Sequence, residues 1–368
     1  MKVNSVRLES FRNYENQLVE FSPDINVITG ANAQGKTNLL ESVFFLSCGH
    51  GFRTRNDREL IRFESETARL IADVSSQGRD KRIEITMGLG RKKQILCNNV
   101  KKTASELPEA LRVVLFSPDD LNMIKDGAKE RRRFLDIAIS QLRPGYVALL
   151  SDFNRLYENK RHILNDWREK PSLLDVLDDF SQSLNQCSAR IIRYRAAYAK
   201  RLNETAAPIH LEFSGSGEEL SIVYKTVSTV TDPFAPTEEI FEQICEHQKS
   251  HREAELASGN VLTGIHKDDL EIEINGINAR SFASQGQTRT AALSLKMSER
   301  EISFIETGEQ PVLLLDDVLS ELDSTRQEYV LNRIGGGQTL ISCCEDEQIK
   351  KRTGGKVFMV TSGKIAES

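Results

Sequence analysis

No stretch of the 368-residue chain approaches the ~18 consecutive apolar residues that cross a bilayer, which excludes a membrane-spanning helix. The opening residues, MKVNSVRLESFRNYE, are charged from the second position and lack an apolar signal-peptide core, so a cytoplasmic protein is expected. The six cysteines, at 48, 97, 187, 245, 343 and 344, form no CxxC pair and no metal-ligand spacing with histidine. A disulfide framework and a zinc ribbon are thereby excluded, and reduced thiols remain. Internal repeats, low-complexity tracts and sustained heptads are also missing. Nor is there an excess of positive charge: the formal net charge of −5 argues against a uniformly basic nucleic-acid binder.

What is present is ordinary for a globular protein. Hydrophobic residues make up 39% and charged residues 28%, and the length suits two or three domains at roughly 150 residues each. The charge is unevenly spread. Residues 1–150 hold 24 Lys+Arg against 19 Asp+Glu, and the remainder holds 25 against 35. A basic patch in the first half is therefore permitted.

Strands are expected at 3–8, 25–29, 67–75, 82–88 and 94–97, with Asn98-Asn99 as a turn and another buried strand at 112–116. From about 128 to 206, apolar residues such as Phe134, Ile137, Ala138 and Leu142 recur at three- and four-residue steps, the period of a helix. Pro144 and Pro171 divide this stretch. Alternation returns over 209–230, 237–257 is helical, and 261–274 is rich in β-formers. Beyond lie a helix at 286–305, an apolar strand at 312–316, a helix at 325–334 and closing strands at 338–342 and 356–360. The pattern predicts a split α/β domain with an inserted, mainly helical lobe.

Gly30, Ala31, Asn32, Ala33, Gln34, Gly35, Lys36 and Thr37 match GxxxxGK[ST], after the strand INVIT and before the helix NLLESVFF. Glycines let the backbone curl so that N–H groups face phosphate oxygens, Lys36 reaches the β/γ-phosphates, and Thr37 can ligate Mg²⁺. Such a loop calls for an acidic partner at the end of a second buried strand. Val312–Asp316 supplies it: Asp316 for the Mg²⁺ sphere, and Asp317 to orient or deprotonate the attacking water. Taken alone, two aspartates after a strand are as well read as a cap for the next helix. Ser284-Gln285-Gly286-Gln287 opens a helix 28 residues before Val312 and offers a hydroxyl and free N–H groups to an anion, though an ordinary helix cap has the same residues.

In this order, P-loop, Ser284–Gln287 signature, Asp316-Asp317, then Ser320-Glu321-Leu322-Asp323, the motifs resemble those of an ABC-type ATPase. About 250 residues separate Lys36 from Ser284, an insert of intermediate size. The chain resembles, more closely, the RecF family of bacterial recombination mediators. The residues that carry this likeness are Leu8–Tyr14, Thr37–Glu41, Phe52-Arg53-Thr54, Phe116–Leu121, Arg131–Asp136, His266–Leu270, Ser284–Arg289 and Leu313–Asp323. The resemblance implies an ABC-type ATPase head, mixed α/β, at 1–127 and 300–368, with a mainly helical second lobe at 128–299. It implies ATP and Mg²⁺ as cofactors and an ATP-dependent homodimer in which Ser284, Gly286 and Gln287 of one subunit complete the nucleotide site of another. Double-stranded or gapped DNA, RecR, RecO and, indirectly, RecA are the implied partners. DNA repair, replication and the SOS response are the implied setting. A non-hydrolytic ATP-gated DNA clamp and a motor subunit of another ABC-type assembly are the alternatives.

The chain departs from the family's pattern in places. Lys267 stands where the family more often has arginine, which keeps the charge but loses the bidentate fork. Asp317 is shorter than the glutamate of transporters, which fits slow hydrolysis. No histidine follows His266, and Ile341-Ser-Cys-Cys344 occupies the place of the transporters' switch histidine. Two basic stretches, Arg131-Arg132-Arg133 near Lys125 and Lys129, and Arg53, Arg55, Arg58 and Arg62, are candidates for a phosphate backbone. Three consecutive helical arginines point three ways, so at least one is expected to pair internally. His266, beside Asp268 and Asp269, reads equally as a site residue or a structural one.

Overall fold

The computed structural model describes residues 1–54, 56–215, 217–344 and 353–367; Arg55 of the second basic stretch lies outside the described residues. The chain forms two compact units, Met1–Leu121 with Leu295–Ser368, and Asn122–Ser294. The divisions expected at 127/128 and 299/300 thus fall at 121/122 and 294/295. The second lies inside the unbroken helix Gln285–Thr307, where no change of composition marks it.

The first unit holds two six-stranded sheets. One is an antiparallel meander in the order Tyr14–Glu20, Lys2–Phe11, Thr67–Ser76, Arg79–Gly88, Arg91–Cys97, Val100–Lys101. Asn98 and Asn99 make its last hairpin turn, both with positive φ, the geometry that suits a tight two-residue turn. Strand Tyr14–Glu20 had no signal: its text, YENQLVE, is mostly polar because it is an edge strand with little to bury.

The other sheet runs Lys364–Glu367, Lys356–Thr361, Ile25–Thr29, Thr339–Cys343, Val312–Asp316, Val113–Phe116, parallel except for its first strand. Its central strands are near-continuous apolar runs, as strands covered on both faces must be. Helix Lys36–Cys48 packs against strands of both sheets. That explains why it has no polar stripe, with Leu39 through Ser47 all buried.

The second unit consists of helices Ala128–Leu142, Pro144–Asp166, Leu177–Ser214 and Thr237–Ser258 with a small antiparallel sheet, Ile277–Asn278, Asp269–Ile274, Leu220–Lys225. The 38-residue helix Leu177–Ser214 runs past the expected change at 209 and takes Pro208 within it. Tertiary packing of Ala206, Ile209 and His210, all buried, overrides the local cost of proline. Strand structure begins only at Leu220 and does not extend to 230.

Arg195, 2% exposed, organises this unit. It donates to Asp136 (2.8 Å) and Asp268 (2.8 Å), to the Tyr146 hydroxyl (3.1 Å) and to the Ile265 carbonyl (2.9 Å). Asp268, fully buried, also accepts from the hydroxyls of Tyr224 and Thr226, and burial pushes its pKa up. The arginine triplet is absorbed by the same region. Arg131 is buried against Asp269 at 2.7 Å, Arg132 donates to the Asp268 carbonyl, and Arg133 pairs with Glu130 at 3.6 Å. A phosphate-binding role for Arg131 is corrected accordingly: its guanidinium is committed to Asp269 and to the carbonyls of Met123, Ile124 and Asp126. His266 has its Nε2 2.9 Å from the Val261 carbonyl and its ring against Tyr157, while its Nδ1 is buried with no hydrogen-bond partner among the described residues, and burial pushes its pKa down to about 4.

Arg195→Met leaves Asp136 and Asp268 without their cation, and removing one partner of a buried pair costs about 3–5 kcal/mol. Urea unfolding followed through Trp167, the sole tryptophan and a residue of this unit, is expected to shift to lower denaturant by that amount.

Candidate functional site

The loop after strand Ile25–Thr29 owes its shape to three positive φ angles, Gly30 (144°), Ala33 (63°) and Gly35 (124°). Gly30 has no room for a side chain: a Cβ there would lie 2.4 Å from the Val360 carbonyl oxygen. Gly35 is crowded by Asn13 and Tyr14, whose side chains grip the loop. Asn13 donates to the Gln34 carbonyl at 2.8 Å and the Tyr14 hydroxyl to the Gly35 carbonyl at 2.9 Å. From the far end of the chain, the Ser362 N–H donates to Gln34 Oε1 at 2.6 Å and the Gly363 N–H to the Gln34 carbonyl at 3.1 Å. Ala31, Asn32 and Ala33 are exposed at the top of the loop. Lys36, 4% exposed, folds back to donate to the carbonyls of Gly30 (2.9 Å) and Ala31 (3.2 Å).

Thr37 meets the acidic strand end as expected. Its hydroxyl donates to Asp316 Oδ1 at 2.9 Å, and Ser342 donates to the same oxygen at 2.8 Å. Asp316 is 5% exposed, and burial raises its pKa, opposed by these two hydroxyls. The Asp317 N–H donates to Ser342 Oγ at 2.9 Å, and Asp317 takes a left-handed backbone with φ 51°. Asp317 Oδ1 is buried with no hydrogen-bond partner among the described residues. A buried carboxylate oxygen with nothing to accept from, next to a hydroxyl and a second carboxylate, fits a hydrated hard cation. Among the described residues no three His, Cys, Asp or Glu side chains converge. Thr37 Oγ1 and Asp316 Oδ1, 2.9 Å apart, are the kind of one or two protein oxygens that Mg²⁺ takes before water and phosphate complete its sphere.

Ser342 was not singled out in the sequence. Its signal was available only through pairing: it stands opposite Asp316 in the parallel ladder. Gln34 belongs to the expected phosphate loop and Asn13 to the Leu8–Tyr14 stretch, but the contacts that join them to each other and to residues 362–363 act over separations that no local pattern reveals. Cys343 ends the buried strand Thr339–Cys343, and Cys344 is exposed beyond it, with its thiol on Asn32 at 2.9 Å and 3.7 Å from Lys36 Nζ.

Ser284, Gly286 and Gln287 belong to the other unit. The Gln287 N–H donates to Ser284 Oγ at 3.2 Å and the Ser284 N–H to Gln287 Oε1 at 2.8 Å, a reciprocal capping box. The Gly286 carbonyl accepts from Thr290. Ser284 is exposed.

A Gly-rich loop opening a buried helix, with a carboxylate at the end of the next strand but one, defines a P-loop nucleotide-binding head. The model of the RecF/RecN/SMC N terminal domain matches residues 2–366. The DNA replication and repair protein RecF of Acetivibrio thermocellus is 39% identical over 356 residues, 96% of each chain. A solved structure of the recombination mediator protein RecF with ATP, from the RecFOR pathway, superposes with a TM-score of 0.91 at 34% identity, over 100% of this chain and 97% of that one. The Smc head domain of Pyrococcus furiosus has the same fold, with a TM-score of 0.56 at 15% identity over 100% of this chain and 96% of that one. The chain belongs to the RecF family of DNA replication and repair proteins.

Gly30→Ala is expected to abolish nucleotide binding, because the new methyl and the Val360 carbonyl cannot share that space. Binding of a fluorescent ATP analogue, with circular dichroism to check the fold, measures it.

Proposed function

We propose that this protein binds ATP at Gly30–Thr37, closes head-to-tail with a second copy on double-stranded or gapped DNA, and reopens by slow hydrolysis. The observation that carries this reading is the cluster of Thr37, Asp316 and Ser342 with the orphaned oxygen of Asp317 beside the P-loop. Loop N–H groups and Lys36 would hold the phosphates, and positive potential at the start of helix Lys36–Cys48 adds to them. Thr37 and Asp316 would hold Mg²⁺, whose chemistry is to neutralise charge on the transferring phosphoryl group. Asp317 would align the attacking water and take its proton. Ser284, Gly286 and Gln287 of the partner copy would cap the γ-phosphate, so that nucleotide joins the two subunits.

The setting follows the family. The RecFOR pathway to which the solved relative belongs supports RecR and RecO as partners, and RecA loading at gaps and stalled forks is the outcome this reading expects. DNA stimulation of hydrolysis belongs to the same reading, as does a cytoplasmic site of action. Among the described residues no helix is long and apolar enough to cross a membrane.

Sedimentation with and without Mg-ATP, then with a gapped duplex, tests the proposal. Dimers are expected with ATP in the wild type, none in Lys36→Met or Ser284→Arg, and persistent dimers in Asp317→Asn. A chain that binds ATP yet stays monomeric with and without DNA would sink the composite site. A wild-type dimer as long-lived as the Asp317→Asn dimer would favour ATP as glue alone.

A further inference from the structure

The side-chain amide of Gln287 is held at both ends. Its Oε1 accepts the Ser284 N–H at 2.8 Å, and its Nε2 donates to Glu218 Oε1 at 2.9 Å. A backbone N–H only donates and a carboxylate only accepts, so these partners permit one of the amide's two orientations. Glu218 lies between helix Leu177–Ser214 and strand Leu220–Lys225. Its other oxygen is 3.5 Å from Nε2 of His210, a fully buried residue of the long helix. Nδ1 of that imidazole is 3.2 Å from Ser294 Oγ, on the helix that the signature opens. His210 Nε2 has no hydrogen-bond partner among the described residues, so Glu218 meets the signature helix through Gln287.

Ser284 Oγ is engaged as an acceptor from the Gln287 N–H, which fixes the hydroxyl's direction while leaving its own proton for another acceptor. Without the carboxylate, Nε2 loses its anchor, and the Gln287 side chain swings away from the Ser284 N–H more readily, which opens the box from one side. We propose that Glu218 is a positioning residue of the signature motif: it locks the Gln287 amide, and Gln287 in turn locks Ser284, so that the helix start meets a second copy's nucleotide already in donor geometry. This inference rests on the composite-site reading above. It extends the signature beyond Ser284–Gln287 to a residue of the inserted lobe that touches no nucleotide.

The test uses the full chain with Glu218→Ala and Glu218→Gln, the latter keeping an acceptor oxygen for Gln287. Hydrogen exchange of the nucleotide-free protein reads the latch alone. In Glu218→Ala the Ser284 amide is expected to exchange roughly tenfold faster, the scale of losing one hydrogen bond to a charged group. Half-maximal dimerisation should need roughly tenfold more ATP by the same factor, while binding of a fluorescent ATP analogue by the monomer is unchanged. Glu218→Gln should restore both values.

Unchanged exchange at Ser284 in Glu218→Ala overturns the proposal. So does faster exchange throughout 122–294 with no rescue by Glu218→Gln, which would make Glu218 a purely structural residue. A wild type that never dimerises fails the composite site instead, and the exchange comparison still decides whether Glu218 holds the motif.

Discussion

A carboxylate placed at the tip of a fully buried strand must be solvated by the protein itself, and most of the first unit is arranged around meeting that demand at Asp316. Water does not reach it freely, so its charge depends on the hydroxyls of Thr37 and Ser342. Ser342 comes from the neighbouring strand, where the parallel register sets it opposite Asp316, and Thr37 comes from the helix that follows the phosphate loop. A one-residue slip between the two strands would turn Ser342 away from Asp316. The ladder that builds the core therefore also sets the site.

The second unit solves a similar problem with charge. Arg195, Asp136 and Asp268 sit where apolar residues would pack as well, and they owe their stability to near-complete pairing. The network accounts for a motif that looked functional. His266, Lys267, Asp268 and Asp269 lie together, but the histidine is held by a backbone carbonyl and both aspartates are bound to arginines. Arg131 looked equally functional as a DNA-facing cation, and its burial removes it from any such surface.

Much of this was legible in the sequence because it is local. The P-loop, the apolar run before Asp316 and the three-and-four spacing after residue 128 all act within a few residues. What escaped is what depends on partners far along the chain. Ser342 is an unremarkable serine until its strand is paired, and Asn13 is one polar residue in an edge hairpin. Glu218 stands just before a strand, 69 positions from the glutamine it contacts. The helical spacing was followed only to 206, whereas the helix runs on to Ser214, with Pro208 inside it and Ala206, Ile209 and His210 buried.

The strand order has a consequence for how such a chain is made. Strand Ile25–Thr29, from which the phosphate loop springs, has as its two neighbours Thr339–Cys343 and Lys356–Thr361. At roughly 5–20 residues per second, ribosomal synthesis leaves both edges of that strand unsatisfied for tens of seconds. During that interval the inserted unit, complete in itself between 122 and 294, has time to fold. The nucleotide pocket closes last, so competence to bind ATP reports that nearly the whole chain has been made.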